Sequence, residues 1–353
     1  MPASPITVGI VGLGRSGHDI HLKNLKHLPD CFQVVAATDP DSARLATAAS
    51  EHRLRAHCDF ASLLGDPEVE LVVVASPNGH HAFQVEQALA AGKHVLCEKP
   101  FGLGVADVDR MIATADRNRR ILQPFHQRRY EPDFRKVQEV CASGVLGRIE
   151  HIRICWHSFK RRWDWQTLTA MHGGELNNNG PHPIDHALEL FGEGDPEVWC
   201  DLRRCLAFGD AEDHVKIVLR GAGHPTVEVE LSSTVAYGQD RWLVCGNAGG
   251  LRGNGDSLEW KWVDWSAMPR RMADPASTPD RGYNSEALTW RQASWKPEQA
   301  TDGGGGGQPA SKPVLDLYLG LHRTIRLGAA QEITPAQARR RIAIIERCRN
   351  SRR

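Results

Sequence analysis

Gly12-Leu13-Gly14-Arg15-Ser16-Gly17 follows directly on the apolar run Ile6–Val11, and a helix-forming stretch comes next. A strand, a Gly-x-Gly-x-x-Gly turn and a helix, in that order, open a parallel sheet of the doubly wound kind. Each glycine has its own job. Gly12 allows the tight turn, Gly14 lets a pyrophosphate approach, and Gly17 lets helix and strand pack closely. The helix N-terminus then offers unsatisfied N–H groups to phosphate, so Leu13, Arg15 and Ser16 belong to the same binding turn. Asp39 ends the second strand-like run. A carboxylate there accepts hydrogen bonds from an adenosine ribose and repels a 2′-phosphate. The expected cofactor is NAD. NADP is the alternative, because Arg44 lies one helical turn further on.

The strand–helix alternation continues to about residue 125. Residues 34–38, 71–75, 95–97 and 121–125 read as strands, and 17–28, 41–52, 82–91 and 106–119 as helices. This predicts a Rossmann-type parallel sheet, an NAD(P)-binding domain over residues 1–126. Ser76-Pro77-Asn78 occupies another strand end on the ligand edge. It reads equally as a cofactor contact and as an ordinary turn.

After about residue 130 the pattern changes. Residues 133–143 read as one more helix. Period-two alternation then marks strands at 149–157, 198–206, 214–219, 227–235 and 242–245, with a short helix at 183–191. Such alternation predicts a large, mainly antiparallel open sheet in an α+β domain. Residues 127–353 are expected to form this second domain. Its tryptophans cluster between residues 156 and 295, which suits a sheet face or an interface. The Pro-, Gly- and Ser-rich stretch 266–312, with its run Gly303–Gly307, reads as a long exposed loop. Residues 314–349 return to two helices, expected to pack back on the first domain.

Composition excludes some classes. Lys+Arg and Asp+Glu both number 43, so no global field favours nucleic acid or an anionic membrane. Arg339-Arg340-Arg341 alternates with isoleucines and reads as a solvated helix face. The nine cysteines are scattered without a Cys-x-x-Cys pair, which suits buried reduced thiols. No apolar run nears the ~20 residues that span a bilayer, and no leader pattern is visible. A cytoplasmic protein is expected.

Two segments carry candidate chemistry. Glu98-Lys99-Pro100 follows the apolar run His94–Cys97, which puts the Lys99 ammonium at a strand end beside the dinucleotide. The segment from Gly173-Gly174 to His186 is the densest in polar groups, with Asn177, Asn178 and Asn179. It reads as a binding loop. His182 can accept a hydroxyl proton, Lys99 can stabilise an alkoxide, Asn178 can orient a hydroxyl, and Asp185 can orient the imidazole. The other reading of the same residues is a helix cap. His182 and His186, with Asp185 or Glu189, also have the types of a metal site, but nothing else calls for a metal and none is expected.

Together these residues resemble the Gfo/Idh/MocA oxidoreductases, the glucose–fructose oxidoreductase and inositol dehydrogenase family. The resemblance runs through Gly12-x-Gly14-x-x-Gly17, Ser76-Pro77-Asn78 with His81, and residues 91–100 ending in Glu98-Lys99-Pro100. It continues through Gln127-Arg128-Arg129-Tyr130, Gly144-Val145-Leu146-Gly147 and Gly180-x-His182-x-x-Asp185. It implies cofactor contacts from Ser76, Pro77, Asn78, His81, Glu98, Lys99 and Gln127. It also implies catalysis by Lys99 and His182 with Asn178, and substrate contacts from Arg162, Trp163 and Asp185. The implied reaction is NAD(P)-linked oxidation of a CH–OH group of a sugar or polyol, in a homodimer or homotetramer built through the C-terminal sheet. One departure is Asn178, where relatives often carry Asp. Two other functions stay open: redox-neutral, NAD-assisted cleavage, epimerisation or lysis, and a non-enzymatic nucleotide- and sugar-binding regulator.

Overall fold

Six strands form the first sheet: β1 (Ile6–Val11), β2 (Phe32–Thr38), β3 (Arg55–Ala56), β4 (Leu71–Val74), β5 (His94–Cys97) and β6 (Leu122–Pro124). All pair in parallel in the order β3-β2-β1-β4-β5-β6. The order reverses between β1 and β4, where an open α/β sheet leaves its ligand crevice. The computed structural model describes residues 4–276, 282–297 and 310–351. Strand β4 is buried at every position, because helices cover both faces. The two-residue β3 and the helix Phe60–Leu64 are additions to the elements expected.

The second sheet has eight strands: β7 (Ile149–His157), β8 (Glu197–Arg203), β9 (His214–Arg220), β10 (Thr226–Ser232), β11 (Trp242–Gly246), β12 (Gly249–Asn254), β13 (Ser257–Val263) and β14 (Trp290–Trp295). Their order is β14-β13-β12-β11-β7-β10-β9-β8. Pairing is antiparallel except between β7 and β10. Ile152, Ile154, Val215, Ile217, Leu219, Val227, Val229 and Leu231 alternate into one buried face, as period-two patterning requires. Strand β8 stops short of residue 206 because Asp213 accepts the N–H groups of Cys205, Leu206 and Ala207 at 2.6–2.8 Å. The stretch expected as one loop, 266–312, contains β14, which pairs with β13 along its whole length. Gly303–Gly307 lies outside the described residues.

The last two helices tie the sheets together. Lys312–Leu327 buries Val314, Leu317, Tyr318 and Leu321 in one core with Ile6, Val8 and Ile10 of β1. Pro335–Asn350 buries Ile342, Ile344 and Ile345 in the other core, against helices Val105–Asn118 and Pro181–Phe191. The expectation of a solvated arginine face on this helix is overturned. Arg341 is 1% exposed and pairs with Asp185. Arg339 pairs with Asp109, and Arg340 donates to the carbonyls of Gly192 and Gly194. Among the described residues no helix is long and apolar enough to cross a membrane.

Candidate active site

Gly12 adopts φ +87°, and a Cβ there would come within 2.8 Å of the Ala75 carbonyl oxygen. At Gly17 a Cβ would meet the Gly12 carbonyl at 1.8 Å. At Gly14 it would meet nothing within 4 Å, so the turn leaves open space above that residue, as a dinucleotide pyrophosphate needs. The helix that follows, Arg15–Leu22 and on through Lys23–Leu25, begins with wide π-type turns. Asp39 is 5% exposed and accepts the Leu13 N–H at 2.6 Å, which fastens the glycine turn to the end of β2. Its other oxygen accepts from the Asp41 N–H at 2.9 Å, and the Arg44 guanidinium lies 3.2 Å away. A carboxylate has further lone pairs for ribose hydroxyls, so Asp39 can hold both the turn and the sugar.

The other strand-end residues form a linked rim. Ser76 donates to Gln84 at 2.6 Å. His81 is buried, with Nε2 2.8 Å from the Ser76 carbonyl and Nδ1 2.8 Å from the Pro100 carbonyl. It joins two strand-end turns instead of facing the crevice with a ring nitrogen. Asn78 donates to the His172 carbonyl at 3.0 Å, and Asn177 donates to the same oxygen at 3.0 Å. That carbonyl ties the first sheet's edge to the asparagine segment. The Gln127 side-chain oxygen is buried without a hydrogen-bond partner. An unpaired acceptor at the end of β6 suits a cofactor that donates to it. With the open cradle at Gly14, these residues fit a bound NAD.

The asparagine segment is not the loop expected. Glu175–Asn178 forms a helical turn, and a helix runs over Pro181–Phe191 with proline at its start. This geometry presents Asn178 to Lys99. The Lys99 ammonium donates to the Asn178 carbonyl at 2.7 Å and to its side-chain oxygen at 3.2 Å. Burial and the guanidiniums of Arg15 and Arg128 push the Lys99 amine below the ordinary lysine value, against the pull of Glu98 and Glu175. Glu98 is 3% exposed and accepts the Lys99 N–H at 2.9 Å. Its second oxygen lies 3.3 Å from His21, whose Nδ1 is 2.8 Å from the Tyr318 hydroxyl. Burial pushes Glu98 up, but His21 and Lys99 outweigh it and hold the carboxyl below its usual range.

His182 is buried, and its Nδ1 has no hydrogen-bond partner. Its ring stacks on Trp156 at 6.0 Å and meets His126 edge-on at 5.9 Å. Burial, then Arg128 and Lys99, hold its imidazole well below 6.5, so it stands neutral at pH 7. Asp185 does not orient it. The Asp185 carboxylate accepts from Arg129 at 2.7 Å through each oxygen and pairs with Arg341. Burial pushes Asp185 up, but Arg341 and Arg129 outweigh it and hold it far below the carboxylate range. Both oxygens of this buried carboxylate are thus taken by guanidiniums. His186 is also engaged elsewhere, with Nε2 3.1 Å from the Arg128 carbonyl and its ring stacked on Phe134. Arg162 clasps Asp164 at 2.8 Å and stands 4.0 Å from Glu175, lining a small crevice with Asn178. Trp163 is 78% exposed and meets Phe208 edge-on.

Residues 6–126 match the family described as "Oxidoreductase family, NAD-binding Rossmann fold". Residues 134–252 match the "GFO/IDH/MocA C-terminal domain". The chain belongs to the Gfo/Idh/MocA family. It is an NAD-binding oxidoreductase. A myo-inositol 2-dehydrogenase of Thermotoga maritima is 31% identical over 249 residues, covering 69% of this chain and 73% of that protein. An inositol 2-dehydrogenase of Saccharopolyspora erythraea is 30% identical, covering 70% and 72%. A crystal structure of the WlbA dehydrogenase from Bordetella pertussis, in complex with NADH and UDP-GlcNAcA, has the same fold. Its TM-score is 0.75 at 19% identity, over 99% of this chain and 97% of that one.

This Gfo/Idh/MocA chain also places residues in the site that the motifs did not bring forward. Trp156, Lys160, Glu175 and Arg241 line a cleft of about 410 Å³ with Arg128. Trp156 had a signal: it shares the parity of Ile152 and Ile154 on β7, so it had to lie on the buried face at the strand's end. Arg241 and Lys160 had none, because only the sheet's order brings them together.

Proposed function

We propose that this chain oxidises a hydroxyl-bearing carbon of a sugar or polyol, with His182 as base and Lys99 as the residue that positions the substrate oxygen. The observation that carries the reading is the meeting of Lys99 and Asn178 beside a buried, neutral His182 at the ligand edge of the parallel sheet. NAD supplies the hydride acceptor. Lys99 spends two of its three N–H donors on Asn178 and keeps one for the substrate oxygen. His182 takes the hydroxyl proton as hydride leaves, and the Lys99 charge stabilises the oxygen as negative charge grows on it. Two inositol dehydrogenases among the relatives support a polyol substrate.

The outer face of the second sheet is read as the self-association surface. Its hollow of about 810 Å³ is lined by Leu243, Cys245, Trp260 and Trp290, and Trp199 lies 58% exposed toward the far edge. Incubation with NAD and a panel of sugars and polyols tests the chemistry. NADH accumulating in stoichiometric excess over enzyme is expected with at least one member. Substrate turnover without net NADH would contradict the reading and point to a redox-neutral reaction.

A further inference from the structure

The cleft beside His182 has an uneven wall. Its lining carries three cations, Arg128, Lys160 and Arg241, against one carboxylate, Glu175. Glu175 is already engaged, 3.8 Å from Lys160 and accepting from Asn179 at 2.6 Å. Both guanidiniums lie over the Trp156 ring, at 4.8 Å for Arg128 and 5.2 Å for Arg241. From behind, Glu131 takes both, with Arg241 donating to it at 2.6 Å, and Asp133 lies 2.9 Å from Arg241. These carboxylates fix the forks in place without entering the lining. Arg241 is thereby occupied at both terminal nitrogens, and the charge the cleft keeps is that of Arg128 and Lys160, whose side chains are 38% and 43% exposed. The Nε of Arg128, the Nε of Arg241 and the indole Nε1 of Trp156 are all buried and have no acceptor. Unmet buried donors are costly, and they leave this wall richer in donors than in acceptors.

We infer that the substrate is an anionic sugar or polyol, one bearing a carboxylate or a phosphate, whose charged end is held by Arg128 and Lys160 while its reacting hydroxyl faces His182. This rests on the oxidoreductase reading of the site proposed above. Guanidinium and ammonium groups make shorter and stronger hydrogen bonds to carboxylate or phosphate than to a neutral hydroxyl. The charge also bears on the chemistry. Arg128 is the foremost charge opposing protonation of His182. A substrate anion against Arg128 offsets that charge, so the imidazole becomes a better base only when the right ligand is bound.

Calorimetric titration of the NAD-loaded protein tests this. The probes are three matched sets: glucose, glucuronate and glucose 6-phosphate; galactose, galacturonate and galactose 6-phosphate; and myo-inositol with its monophosphate. At least one anionic member should bind about tenfold or more tightly than its neutral parent. The carboxylate and phosphate arms show which anion the wall takes. In Lys160→Gln, a substitution at a partly exposed side chain, that margin should shrink several-fold while NAD affinity stays unchanged. Neutral parents binding as well as the anions, or no member binding at all, overturns the inference. So does an anion preference that Lys160→Gln leaves intact. NADH formed from a neutral polyol without anion preference overturns this inference and leaves the oxidoreductase reading standing. A tight-binding anion that gives no NADH counts against that reading alone.

Discussion

Lys99 is held by an amide where a carboxylate would add a charge. Asn178 accepts two hydrogen bonds from the ammonium but gives it no counter-ion, and Arg15 and Arg128 push the other way. The amine therefore sits nearer to losing its proton than an ion-paired lysine would. The pH profile of turnover should show this. In Asn178→Asp the new carboxylate favours the charged amine, so the Lys99 value rises and the alkaline limb moves to higher pH. A shift of one unit corresponds to about 1.4 kcal/mol. An alkaline limb that stays in place would show that Lys99 titration does not govern it. Lys99 and His182 were legible in the sequence because each follows a recognisable punctuation, a strand end and a proline-flanked helix start. Asp185 was misread as a partner of His182. The spacing places it one helical turn on, but the side chain's partners, Arg129 and Arg341, come from distant elements.

At the scale of elements, the helix Pro335–Asn350 changes the meaning of Asp185. The carboxylate is a buried anchor that joins the turn after β6, the helix bearing His182 and the C-terminal helix. Asp185→Asn removes the charge and leaves Arg129 and Arg341 buried, with Glu189, 2.7 Å from Arg129, as the carboxylate that remains beside them among the described residues. Breaking such a pair costs about 3–5 kcal/mol. The urea midpoint should fall accordingly, and an unchanged midpoint would return Asp185 to the role of substrate contact. Elements with strong local pattern were readable: β1, β4 and the helix Ser42–His52 lie within a residue of their expected limits. Those that depend on a neighbour were not. Strand β3 has two residues, too few for a period. Strand β14, in a Pro-, Gly- and Ser-rich stretch, is a strand because β13 offers an edge to pair with. The parallel pairing of β7 with β10 leaves no trace in alternation, which is the same for either direction.

For the whole molecule, two sheets meet at the crevice, and the C-terminal helices fasten one to the other. Tyr318, from Lys312–Leu327, reaches His21 behind the glycine turn, and His21 reaches Glu98 next to Lys99. Lys99 is thus positioned from three regions of the chain. The eight-stranded sheet leaves its outer face open, with Trp199 58% and Trp290 45% exposed. Aromatic area of this kind is more common at interfaces than on a free surface. Sedimentation at micromolar concentration should show a dimer or tetramer, and Trp290→Glu should dissociate it. A monomer at all concentrations would remove that face as an interface. In the proposed reaction, Lys99 and His182 act on a substrate hydroxyl beside NAD. Comparing Lys99→Ala with the parent protein, for NAD affinity and for single-turnover NADH formation, tests it most directly. NAD affinity within about twofold of the parent and a rate lower by about 10²–10⁴ are expected. An unchanged rate, or a loss of NAD binding that explains the whole effect, would contradict it.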